Sequence, residues 1–232
     1  GIDLTRDIEP VGGPGTLTVG MDPSWNNLST PDVAEQAERA RELLRSMGVA
    51  VVPVTLPDPR DALAVYHVVA ASEASSNLQR FDGLRFGQRG PSVSEARSTG
   101  FGREAKRRIL MGAWCLSAGY GDSHYRAAIR GRTMIRDRMA RLFRTVDLVL
   151  TPTTPTTAFR FGVNARPCAM YQSDLFTVTA SLAGIPAISI PAGTDRDGLP
   201  VGIQLMAARF NEMMLLDVAR RLHCKWKQEG DG

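Results

Sequence analysis

Between Leu17 and Val54 the chain passes from a short apolar segment, through a helical pattern, into a second apolar segment. That succession constrains the fold more than any other feature. Leu17–Met21 reads as a strand. Thr30-Pro31-Asp32 opens a helix with a capping residue, a proline in the first turn and an acid at the positive helix end. Val33, Ala37, Ala40, Leu44 and Met47 then recur at three- and four-residue steps and share one face, and Gly48 ends the helix. Val49–Val54 is almost continuously apolar and β-branched, the composition of a strand covered on both faces. Strand, helix and strand of these lengths make a βαβ crossover, so the chain is α/β.

The remaining pattern extends this plan. Asp61 is placed to cap a helix running to about Leu78, and the polar, Gly-rich residues 79–100 read as a loop. Helices are expected over 102–119 and 122–144, broken near Gly119, Gly121 and Asp122. Val146–Leu150 is a buried strand leading into the Thr/Pro-rich residues 151–157. Tyr171–Ala183 reads as a helix closed by Gly184 and Pro186. Ala187–Pro191 and Val201–Met206 read as strands joined across Asp195-Arg196-Asp197-Gly198, and Asn211–His223 is a final helix. Residues 1–16 read as a linker, 17–223 as the folded domain and 224–232 as a frayed tail. The expected architecture is a mixed β-sheet flanked by helices.

Composition removes several classes. A length of 232 residues with 43% hydrophobic and 22% charged residues suits a globular core and excludes disorder. No apolar run reaches the roughly 18–20 residues that span a bilayer, and the first residues do not read as a signal peptide. Three cysteines (Cys115, Cys168, Cys224) without a CxxC, and three scattered histidines, argue against a disulfide framework and a metal site. They point to a reducing compartment, and no cofactor is expected. Residues 101–145 carry eleven basic residues against three acidic ones, a net of +8 in a chain of net +4. These basic helices are a possible contact for tRNA or another RNA, although no stacking aromatics are interleaved with the charges, which suits a solvated helical face better.

No glycine-rich phosphate loop, HExxH or GxSxG is present. Ser75-Ser76 resembles a nucleophile pair, but a serine nucleophile needs a base within hydrogen-bond reach and none is evident. The ordered motifs say more: Ala71-Ser-Glu-Ala-Ser-Ser-Asn-Leu-Gln-Arg-Phe-Asp-Gly-Leu-Arg-Phe-Gly87, Gly100-Phe-Gly-Arg-Glu-Ala-Lys-Arg-Arg-Ile109, Leu150-Thr-Pro-Thr-Thr-Pro-Thr-Thr157, Asp174-Leu-Phe-Thr177, Leu182-Ala-Gly-Ile-Pro-Ala-Ile-Ser-Ile-Pro191 and Gly198-Leu-Pro-Val-Gly-Ile-Gln-Leu205. In this order they resemble the C-terminal half of the amidase signature family, and within it the tRNA-dependent amidotransferase branch.

The resemblance implies a Ser–cis-Ser–Lys triad in a Gly/Ser-rich signature of the N-terminal half. No Gly-Gly-Ser-Ser-Gly run exists here, so no catalytic residue is expected in this chain. It further implies that Arg132, in Gly131-Arg-Thr-Met-Ile135, pairs with the α-carboxylate of glutamine, and that Asp174 takes its α-ammonium. Phe86 stands where the family has a tyrosine bordering the substrate, which removes a hydroxyl, and the stretch between Gly87 and Gly100 is shorter than the family's. The implied function is the substrate-binding half of a glutaminase that feeds ammonia to Glu-tRNA(Gln) transamidation, in the cytoplasm or mitochondrial matrix. Implied partners are a chain or segment with the N-terminal half and the other amidotransferase subunits. The alternatives are a degenerate, non-catalytic half in a large RNA-associated assembly, and an amidase for another amide.

Overall fold

The computed structural model describes residues 17–117, 121–162 and 170–230. The expected linker and Cys168 lie outside them. The strands are β1 (Thr18–Met21), β2 (Ala50–Pro53), β3 (Leu148–Pro152), β4 (Ala187–Thr194) and β5 (Pro200–Ala207). The helices are α1 (Pro23–Asn26), α2 (Pro31–Ser46), α3 (Pro59–Leu78), α4 (Val93–Gly100), α5 (Arg103–Leu116), α6 (Arg126–Leu142), α7 (Val178–Ala183) and α8 (Glu212–Gly230). The chain separates into two compact units, one holding residues up to Arg60 and from Ile135 onward, the other Asp61–Met134.

The first unit is built on a mixed sheet in the order β2-β1-β3-β5-β4. β1 is parallel to β2 and β3, and β5 is antiparallel to β3 and β4, so the crossover and the hairpin both form as the sequence implies. All five residues of β3 are buried. One face of the sheet is covered by α2 and α8, whose Ala37, Ala40, Leu44, Leu215, Val218 and Leu222 join Val19, Leu148, Leu150, Ile203 and Leu205 in one core.

β2 departs from expectation. It is an edge strand, with Ala50 and Pro53 exposed and Val51 and Val52 half-buried, because only β1 pairs with it among the described residues. The Arg45 guanidinium donates to its outward carbonyl at Val51 (3.4 Å). Three further differences have local causes. Residues 79–100 include α4, which starts where the Ser92 hydroxyl accepts the Glu95 N–H (3.2 Å), a side-chain cap of the Ser-x-x-Glu type. α3 starts two residues before Asp61, with Asp58 accepting the Arg60 N–H (2.8 Å) and Pro59 in the first turn. Tyr171–Ala183 divides into a 3₁₀ turn, Gln172–Asp174, and α7, which ends at Gly184 in the left-handed region (φ 67°).

The second unit packs α3, α4, α5 and the first part of α6. Gly112 permits a near-contact of backbones: a Cβ there would lie 2.0 Å from the Ala71 carbonyl oxygen and 2.6 Å from Ser75 Cβ. Ser75 is thereby buried against α5. Cys115 is buried on the same helix and its thiol is pushed up by desolvation, whereas Cys224 is exposed. Among the described residues no helix is long and apolar enough to cross a membrane.

The segment expected to fray, 224–232, continues α8 to Gly230. Leu215, Val218, Leu222 and Trp226 keep the three- and four-residue step, and Trp226, 7% exposed, packs in the core beneath the Arg39 guanidinium (5.0 Å to the ring centre). Trp226→Ala is expected to lower the unfolding free energy by about 3–5 kcal/mol in a denaturant titration. An unchanged midpoint would show that this end carries no packing.

Candidate functional site

Arg132 lies on α6, beside Gly131. A Cβ at Gly131 would fall 2.7 Å from Val65 Cγ2, so the missing side chain lets α6 lie close to α3. That approach brings Arg132 to Glu73 on α3, with Nη1 and Oε1 3.7 Å apart and both side chains open to solvent (44% and 53%). Glu73 also lines a cleft of about 290 Å³ with Ser72, Ser76, Asn77, Leu116 and Tyr125. The lining presents hydroxyls, an amide, one carboxylate and one apolar side chain, a surface able to hydrogen-bond a small polar ligand.

Phe86 sits on the turn after α3, in the same unit. Asp82 Oδ1 accepts the N–H groups of Leu84 (2.8 Å) and Arg85 (2.9 Å), and the Gly83 N–H donates to the Phe86 carbonyl (2.9 Å). Gly83 and Gly87 both have positive φ (77° and 90°), which a side chain at either position would strain. The Arg97 guanidinium braces the turn from α4, donating to the carbonyls of Leu78 (3.0 Å) and Phe81 (2.9 Å) while stacking on Phe101. The backbone is thus well tied, yet the Phe86 ring is 57% exposed.

Asp174 belongs to the first unit. Its carbonyl accepts the Thr177 N–H (3.2 Å) and hydroxyl (3.1 Å). The next residues anchor the turn: Phe176 is buried and stacks on Trp25 (5.1 Å, 19°). Its carbonyl accepts Gln204 Nε2 (3.4 Å), which also donates to Thr151 Oγ1 (3.1 Å). Nearby, Thr153 and Ser189 hydroxyls share a hydrogen bond (2.8 Å) over Gly202, where a Cβ would meet Ser189 Oγ at 2.9 Å. Trp25, Thr151 and Gln204 escape the sequence reading, although a glutamine in the apolar strand Val-Gly-Ile-Gln-Leu is itself a signal of a buried polar contact. Arg132 and Asp174 therefore stand in different units, and Glu73 is an acid that Arg132 meets within its own unit.

The basic stretch is partly neutralised internally. Glu104 pairs with both Arg107 and Arg108, and Arg136 pairs with Asp137. Hydrogen bonds to Tyr66 and then Glu104 raise Arg108 above the usual guanidinium range. Arg103, Arg130, Arg138, Arg141 and Arg144 remain exposed.

Residues 9–216 match the amidase family model. The chain belongs to the amidase family. It is 41% identical over 223 residues to a glutamyl-tRNA(Gln) amidotransferase subunit of Desulfosudis oleivorans, covering 92% of this chain and 45% of that protein. It is 49% identical over 188 residues to the same subunit of Prochlorococcus marinus, covering 78% and 39%. The crystal structure of the Thermotoga maritima subunit superposes with a TM-score of 0.69 at 34% identity, over 90% of this chain and 42% of that one. A bacterial aryl acylamidase of the amidase signature family (TM-score 0.73, 17% identity) shares the fold. The chain thus spans less than half the length of these relatives.

The Asp82 carboxyl is held below the usual carboxylate range by the Arg85 and Leu84 amides. A group so depressed stabilises the fold above its unfolded pKa, and that contribution is lost as pH falls through the folded value. Hydrogen exchange, corrected for intrinsic rates, is therefore expected to show the Leu84 and Arg85 amides opening on acidification. Asp82→Ala should open them at neutral pH and remove that acid transition. Equal protection in the variant would rule out the carboxylate as the clasp.

Proposed function

We propose that this chain is the amino-acid-binding part of a glutamine amidase whose ammonia serves transamidation of Glu-tRNA(Gln). On this reading the Ser–cis-Ser–Lys triad is carried by amidase sequence beyond these 232 residues. The supporting observation is the match of 92% of the chain to a glutamyl-tRNA(Gln) amidotransferase subunit of which it covers only 45%. The chemistry of the chain agrees with that division. Its lysines are Lys106, Lys225 and Lys227. Lys106 donates to the Ser98 carbonyl, and Ser75 is packed against α5.

In this proposal Arg132 receives the substrate α-carboxylate, which its planar fork can bind through two parallel hydrogen bonds. Asp174 receives the α-ammonium, and Phe86 borders the substrate. Two opposite charges select a zwitterion over a simple amide. The competing reading, a non-catalytic half that contacts RNA through 101–145, draws on the exposed arginines of that stretch.

The native assembly, purified with its bound chains, distinguishes the two. A companion chain carrying a lysine and a Gly/Ser-rich signature, with ammonia release from glutamine, supports the amidase; RNA-bound partners without glutaminase activity support the other. The isolated chain is expected to release no ammonia. In the active assembly Arg132→Ala is expected to raise the KM for glutamine tenfold or more, from roughly 1.5–3 kcal/mol of charge-assisted hydrogen bonding. A neutral amide should be affected less. Equal losses for both substrates would remove Arg132 from carboxylate recognition.

A further inference from the structure

We propose that Glu73 is a specificity-determining residue, a built-in counter-ion that an incoming carboxylate must displace from Arg132; this rests on the reading of Arg132 given above. The two groups come from different helices, α3 and α6, and their 3.7 Å separation exceeds hydrogen-bonding distance. Both side chains are close to half exposed, so the pair is weak and screened, and it yields to a better ligand. A bidentate carboxylate is such a ligand, because it offers two short charge-assisted hydrogen bonds in place of the long contact to Glu73. A halide or a poorly aligned anion offers no such gain and is turned away.

Among the described residues, Glu73 contributes the one formal charge to the lining of its cleft, beside Ser72, Ser76, Asn77, Leu116 and Tyr125. A carboxylate seated on Arg132 therefore enters the field of a nearby like charge. Glu73 raises the threshold for any anion, and a ligand passes it only by matching the guanidinium fork. The cost falls on ligands with a carboxylate and spares neutral amides.

Glu73→Gln in the assembly purified from its source removes the charge and keeps the shape. The ratio of the KM for glutamine to that for a neutral amide is expected to fall two- to fivefold, the range that a weak exposed ion pair allows. Inhibition by acetate should strengthen at the same time. Glu73→Asp, which restores the charge, should return the ratio most of the way toward wild type. An unchanged or increased ratio in Glu73→Gln, with Arg132→Ala still raising the KM for glutamine more than that for the neutral amide, overturns this inference alone. Equal losses for glutamine and the neutral amide in Arg132→Ala overturn the reading on which it rests, and this inference with it.

Discussion

A strand desolvated on both faces must find partners for all of its backbone groups and cover for both rows of its side chains. Leu148–Pro152 is such a strand, and most of the first unit follows from satisfying it. β1 and β5 supply its hydrogen bonds from either side. Leu148 and Leu150 point to the core shared by α2 and α8. Thr151 faces the other way, where a polar side chain needs a partner, and Gln204 of β5 provides one. The same amide reaches the Phe176 carbonyl, so the polar contact on the sheet also fixes the turn that displays Asp174. Stacking of Phe176 on Trp25 ties that turn to the segment after β1.

What could be read from the sequence is what local chemistry encodes. The crossover announces itself through two periodicities and a capped helix, and the β4–β5 hairpin through its turn residues. The failures mark where local signals end. Val49–Val54 has the composition of a central strand, but β-branched residues report extended backbone and not a strand's place in the sheet. Trp226 continues the stripe of α8, yet the Lys, Glu and Gly around it give the segment the look of a tail. Ser92-Val-Ser-Glu95 is a cap in plain view, obscured by the glycines before it.

The candidate site divides in the same way. Arg132, Asp174 and Phe86 stood out through family resemblance, since an isolated arginine or aspartate carries no sequence signature of substrate binding. Glu73 lies 59 positions from Arg132, and nothing local joins them. The glycine at position 131, which lets α6 approach Val65, gives the physical reason for their meeting. The arginine-rich character of 101–145 likewise says little until the helices are built and Glu104, Glu73 and Asp137 are seen among the guanidinium groups.

The open side of β2 has a consequence for association. The amides of Ala50 and Val54 point inward to the carbonyls of Leu17 and Met21, which turns positions 51 and 53 outward. Pro53 has no N–H to offer, and the Val51 carbonyl already holds the Arg45 guanidinium. A strand arriving from that side would find a single available amide, too little to template a ladder. Cross-β stacking and strand exchange are thus discouraged at an edge that would otherwise invite them, and any protein that docks there must be recognised by side chains.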